Sequence, residues 1–154
     1  MFKFSAQQQV YDIKGVKIGG QPGQYPTVMI GSIFYHGDKI VEDQKEGVFN
    51  KSEAEKLLNA ESELSDRFGN PRIIDVVGSF PNALVKYIDF IVETVDSPFL
   101  IDGTTEAVRI AGLKHAAEIG VIDRAIYNSI TPEIKREEIE AIKESGIKTA
   151  ILLT

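Results

Sequence analysis

Short apolar runs begin near residues 72, 98, 124 and 148, and a helix-forming stretch separates each from the next. A strand–helix unit recurring every 24–26 residues leaves few folds open. Parallel neighbours need crossovers of about a dozen residues or more, and those crossovers are right-handed. The repeat lies in architecture alone, because the units share no residue pattern. Three of the runs end on polar groups: Arg72-Ile-Ile-Asp75-Val-Val-Gly-Ser79, Pro98-Phe-Leu-Ile-Asp102-Gly-Thr-Thr105 and Arg124-Ala-Ile-Tyr-Asn128-Ser129. Strand C-termini are where α/β enzymes put their binding groups.

The segments before this repeat differ in kind. Val10–Ile13 and Val16–Ile18 alternate apolar with polar around Lys14-Gly15, which predicts a hairpin. Gly19-Gly-Gln-Pro-Gly23 reads as a loop. The apolar run Thr27–Phe34 predicts a strand buried on both faces, and a long polar loop follows from Tyr35 to Asn50. Ser52-Glu-Ala-Glu55 reads as a capping box opening a helix that Gly69-Asn70-Pro71 closes. Further helices are expected from near Ser79–Pro81 through Val92 and from Thr104 to about Ile119. A fourth opens with Thr131 as cap and Pro132 at the first helical position, and Lys148–Leu153 forms a fifth strand of the series.

Two architectures accommodate this order. A doubly wound five-stranded sheet would be complete at 154 residues. A (β/α)8 barrel needs about 250 residues, so the chain would supply its first five strands. The leading hairpin and the three polar strand ends favour the partial TIM barrel. Residues 1–24 are then hairpin and lead-in, and 25–154 are βα units one to five with the last helix missing. On this reading the chain is the truncated N-terminal part of one barrel domain.

Composition excludes several classes. With no cysteine there are no disulfides or thiolate sites, which suits a reducing cytoplasm. A net charge of −6 with scattered basic residues argues against nucleic acid. No run approaches the roughly 18 apolar residues of a spanning helix, so direct membrane insertion is not expected. Two separated histidines make a dedicated metal site improbable.

Asp75 is the most telling single residue, because an ionised carboxylate inside Ile73-Ile-Asp-Val-Val77 is costly unless paired or solvated in a cavity. It reads either as a ligand group or as the partner of a neighbouring-strand Arg or a backbone amide. Asp102-Gly103 could equally be turn chemistry, with Thr104 or Thr105 capping the next helix. Asn128 is open in the same way, although an amide can read a heterocycle edge. His36 reads as a surface loop residue, His115 as structural, and the charged segment Glu133–Glu144 as a solvated helix face. Gly19–Gly23 lacks the Lys-Ser/Thr of a phosphate-binding loop.

The stretch Ile18-Gly-Gly-Gln-Pro-Gly-Gln-Tyr-Pro-Thr-Val-Met-Ile-Gly-Ser-Ile-Phe-Tyr-His-Gly37 resembles the N-terminal signature of the H-subunit family of tetrahydromethanopterin S-methyltransferases. Asp75-Val-Val-Gly-Ser79, Ile101-Asp-Gly-Thr-Thr105, Val108-Arg-Ile-Ala-Gly112 and Ile126-Tyr-Asn-Ser-Ile130 are similar to that family's later motifs, in the same order. The resemblance covers nearly the whole chain. It implies a pterin-binding barrel of the dihydropteroate-synthase type. It also implies transfer of the N5-methyl group of methyl-tetrahydromethanopterin to the Co(I) corrinoid of a partner subunit, a step of methanogenesis that leads to coenzyme M methylation. By the same resemblance Asp102 and Asn128 match pterin-ring positions, and Asp75 lines the cavity. The implied setting is cytoplasmic and peripheral to the membrane, within an archaeal complex.

Members of that family are about twice as long, and related enzymes carry a further pterin carboxylate and the group near N5 on late strands. The catalytic residues are therefore expected outside this chain, and the 1–154 stretch is expected to have little activity alone. Its open sheet edges are expected to pair with a second copy. Three alternatives stand beside this reading. They are a pterin-dependent methyltransferase of methylamine or betaine metabolism, a non-catalytic docking module for a corrinoid protein, and a self-contained flavodoxin-like domain with strand order 2-1-3-4-5.

Overall fold

A computed structural model describes residues 2–154. The hairpin is formed by β1 (Val10–Ile13) and β2 (Val16–Gly19), and Lys14 and Gly15 turn it with positive φ. The parallel strands are β3 (Met29–Ile33), β6 (Arg72–Gly78), β7 (Phe99–Gly103), β8 (Ala125–Ile130) and β9 (Ala150–Leu152). Between β3 and β6 lie a small hairpin, β4 (Val41–Asp43) with β5 (Val48–Phe49), and helix α1 (Lys51–Phe68). Helices α2 (Pro81–Thr94), α3 (Glu106–Glu118) and α4 (Arg136–Ser145) occupy the later crossovers.

The five-stranded sheet runs in the sequential order β3-β6-β7-β8-β9, all parallel. That is not the 2-1-3-4-5 order of a flavodoxin-like sheet. The helices also share one face. Ala54 and Leu58 of α1, Leu84, Tyr87 and Ile88 of α2, Leu113 of α3 and Ala141 of α4 form one core with Ile74, Val76, Ile101 and Tyr127 of the strands. Alternate strand residues, Ile73, Leu100 and Ile126, turn to the opposite face and pack on Ile13 of the hairpin. A sheet with helices on one face and a hairpin plugging the N-terminal end of the other is singly wound. This is the arrangement compatible with the wall of a barrel.

Several local expectations are corrected. Asn50, not Ser52, caps α1, because its side chain accepts from the Glu53 amide at 3.1 Å. Thr131 and Pro132 sit in a turn closed by Ile134 N–H to Thr131 O, and α4 begins only at Arg136. Strand β3 is not buried on both faces: Met29 and Ile30 are more than half exposed, because β3 is a sheet edge. The polar stretch 35–50 contains the β4–β5 hairpin. Its Phe49 joins Phe34, Tyr87 and Phe90, with Phe34 stacked on Tyr87 at 4.2 Å between ring centroids. Phe34 adopts a left-handed backbone (φ 67°) and its amide donates to Asp38 at 2.9 Å.

Close packing of α3 on the sheet depends on Gly112. A Cβ there would lie 2.7 Å from Leu84 Cδ2 and 2.8 Å from Ile101 Cγ2, both in the core. Gly112→Ala is expected to destabilise the fold by about 1–3 kcal/mol through overpacking, despite the better helix propensity of alanine. Denaturant unfolding measures this, and an unchanged midpoint would show that α3 can shift freely.

Candidate functional site

Side chains alternate along each strand, so Asp75 shares the inner face with Ile73, Asp102 with Leu100, and Asn128 with Ile126. On each strand the polar group lies two residues beyond the apolar residue that packs on the hairpin, toward the C-terminal end. The register pairs Asp102 with Asn128 directly, which sets their Cα atoms about 4.8 Å apart. Asp75 is one layer lower. It pairs with Leu100 and Ser32, and Val77 is the residue opposite Asp102, so Asp75 and Asp102 are about 8 Å apart at Cα. The structure thus brings the three sequence candidates onto one face in two adjacent rows.

Asp75 is buried, and its partner is neither an arginine nor a backbone amide. Ser32 Oγ donates to Asp75 Oδ2 at 2.6 Å, while Oδ1 is buried without a protein partner. A buried acceptor left unsatisfied costs about 1–3 kcal/mol, which favours occupation by a donor. Ser32 carried no sequence signal beyond lying in the strand run; register on β6 is what reveals it.

Asp102 is partly buried, and its carboxyl is pushed up from 3.8 to about 6. Loss of hydration is the main cause and the negative charge of Asp75 adds to it, while the Arg109 guanidinium opposes both. Near neutrality such a group accepts hydrogen bonds as a carboxylate and also holds a proton within easy reach. Below Asp102 and Asn128, the hairpin and the sheet border an apolar cleft of about 300 Å³ lined by Ile13, Ile18, Ile73, Leu100 and Ile126.

Behind the inner face lies a cluster that the sequence did not announce. Glu138 is 2% exposed rather than on a solvated helix face. Arg109 Nε donates to Glu138 Oε1 at 2.6 Å, its other nitrogen donates to Gly103 O at 2.8 Å, and the Tyr127 hydroxyl also donates to Glu138. Burial would raise the Glu138 carboxyl, but the bonds from Arg109 and Tyr127 outweigh it and hold the group below its usual range. Glu138 shares the inward stripe of α4 with Ala141 one turn on, and that spacing was the available signal.

Other singled-out residues stand apart from this face. His36 Nδ1 lies 3.0 Å from Gln44 Oε1 on the 35–50 segment, and His115 Nε2 lies 2.5 Å from Asp89, joining α3 to α2. Thr105 is the N-cap residue of α3 but makes no side-chain capping bond. Among the described residues no His, Cys, Asp and Glu cluster could hold a metal ion.

The raised carboxyl of Asp102 makes a stability test of its environment. A carboxyl with a raised folded-state pKa favours folding only while protonated, so the penalty is absent below about pH 4 and complete above about pH 6. Asp102→Asn is expected to stabilise the fold by roughly 1–2 kcal/mol near pH 7.5, a value reduced for partial solvent screening. The gain should vanish near pH 4. Urea unfolding at the two pH values measures it, and equal stability of both proteins at pH 7.5 would contradict the burial argument.

Comparison with known proteins places the chain in a family. Residues 6–154 match the model described as "Tetrahydromethanopterin S-methyltransferase MtrH subunit". The chain is 50% identical over 153 residues to the tetrahydromethanopterin S-methyltransferase H subunit of Methanothermobacter thermautotrophicus, covering 99% of this chain and 49% of the relative. Identity to the corresponding H subunit of Methanocaldococcus jannaschii is 47% over 153 residues, covering 99% of this chain and 48% of that protein. The H subunit of a putative mtx methyltransferase of Methanosarcina mazei is 45% identical over 153 residues, covering 99% and 49%. The chain spans about half the length of the curated relatives it matches. With a family model covering almost all of its residues, the chain belongs to the tetrahydromethanopterin S-methyltransferase MtrH subunit family.

Proposed function

We propose that this chain forms the early-strand wall of a (β/α)8 barrel, as the N-terminal part of one barrel domain, that binds tetrahydromethanopterin at its C-terminal mouth. In this reading the protein serves a methyltransferase that moves the N5-methyl group of methyl-tetrahydromethanopterin to a corrinoid on a partner subunit. The observation that carries it is the in-register pairing of Asp102 with Asn128 on the face opposite the helices. A carboxylate beside an amide offers acceptors and donors in the spacing that an amino-pyrimidinone edge presents. Asp75, with its unpartnered oxygen, lines the layer beneath.

Each residue has a defined task in this reading. Asp102 and Asn128 grip the ring edge and fix its rotation, and thereby the direction in which N5 presents its methyl group. The apolar row beneath, Leu100 and Ile126, limits how deep the ring sinks. A corrinoid carried by a partner would supply the cobalt nucleophile. Groups acting at N5 belong on strands beyond β9, so the 1–154 stretch alone is expected to transfer methyl groups poorly. Its two open edges carry exposed apolar residues, Met29 and Ile30 on β3 and Leu152 at the end of β9. In a closed barrel those edges are where the later strands pair, and the protein is further proposed to act as a homodimer.

The word "subunit" in the names of the relatives supports a multi-subunit setting. No helix among the described residues is long and apolar enough to cross a membrane, and a cytoplasmic place at the membrane, held through partner subunits, is part of the proposal. One relative is named for a putative mtx methyltransferase, and the second reading is a related pterin-dependent methyltransferase of methylamine or betaine metabolism.

Titration of the natural-length protein with tetrahydromethanopterin tests the central assignment. Asp102→Ala and Asn128→Ala are each expected to weaken binding by about 10- to 100-fold, the value of a hydrogen bond to or beside a charged group. Unchanged affinity in both would favour a docking module that binds no pterin on this face.

A further inference from the structure

The Arg109 cluster lies on the helix side of the sheet, yet its bonds end beside the candidate ligand groups. Gly103, whose carbonyl accepts from Arg109, follows Asp102; Tyr127, whose hydroxyl also accepts from Arg109 at 3.2 Å, precedes Asn128. Arg109 itself is on α3 and Glu138 on α4, so one guanidinium joins two strands and two helices. We propose that Arg109, Tyr127 and Glu138 form a positioning cluster that sets the relative height of Asp102 and Asn128, so that ligand affinity on the inner face is controlled from α4. The inference rests on the pterin-binding reading of those two side chains.

The geometry separates this cluster from ordinary packing. Among the described residues, three arginines donate to backbone carbonyls, and two of them, Arg72 and Arg124, sit where strands begin. Arg109 alone reaches a carbonyl at a strand C-terminus, the end that carries the polar row. An ion pair with a buried carboxylate and a partly buried guanidinium is also a weak source of net stability compared with apolar residues of similar size, so retaining one asks for another reason. The guanidinium geometry supplies that reason: its rigid fork holds several acceptors at once in one plane. A second pair, Lys135 to Glu106 at 2.7 Å, ties the starts of α3 and α4 together and steadies the same junction. The start of α3 approaches Gly103 closely, since a Cβ there would lie 2.7 Å from the Arg109 backbone nitrogen.

The test is a double-mutant cycle in the natural-length protein, read by calorimetric titration with tetrahydromethanopterin. Glu138→Gln and Tyr127→Phe are each expected to weaken binding by about 3- to 10-fold, and neither should weaken it much further once Asp102→Ala is present. A merely structural role would give losses that multiply independently of Asp102. The inference is overturned if Asp102→Ala weakens binding while both cluster variants bind normally, or if their losses multiply in full. If Asp102→Ala leaves affinity intact the inference falls, and if Asn128→Ala does so as well the pterin reading of this face falls with it. Should Glu138→Gln fail to fold, Tyr127→Phe decides alone, because it deletes only a hydroxyl.

Discussion

The alternation of side chains along in-register parallel strands is the constraint from which the rest of this structure follows. Each strand sends every second residue to the helices and the others to the inner face. Because all described helices pack on one face, the residues are sorted without ambiguity: Ile74, Ile101 and Tyr127 to the large core, Ile73, Leu100 and Ile126 to the hairpin. A slip of one residue would exchange these sets and bury the wrong groups on both faces. The same sorting that makes the core also collects Asp75, Asp102 and Asn128, since each lies two residues beyond an apolar inner-face position.

The polar groups carry a cost that the apolar residues of the same face do not. Asp75 satisfies one oxygen with Ser32 and leaves the other without a partner, and Asp102 carries a raised carboxyl beside it. Two carboxylates in adjacent layers of a partly desolvated face repel each other, and folding alone gives no reason to keep them. Such strain is tolerated where a ligand relieves it. On the other side of the sheet the opposite holds. Arg109, Glu138 and Tyr127 satisfy one another, and among the described residues the backbone group their side chains hold is the carbonyl that follows Asp102.

Much of this was legible in the amino-acid sequence. The runs at 72–78, 99–103 and 125–130 announce themselves because central parallel strands need apolar residues on both faces. The hairpin around Lys14-Gly15 was equally plain from turn chemistry. What escaped was decided by contacts distant in sequence. Glu138 looks solvated in a charged helix until Arg109, 29 residues earlier, is folded against it. The exposure of Met29 and Ile30 reflects their place at a sheet edge, which an apolar run cannot reveal. Asn50 displaced Ser52 as the cap of α1 because β5 delivers the chain into the helix at that residue. The pairing of Asp102 with Asn128 is a matter of register, and only the folded sheet displays it.

The structure of the natural-length protein with tetrahydromethanopterin bound is the most direct measurement. The amino-pyrimidinone edge should lie about 3 Å from the Asp102 carboxylate and the Asn128 amide, with Asp75 in the layer beneath. A pterin bound away from this face, or held on it with neither side chain in contact, would contradict the assignment of the polar strand ends as a ligand site.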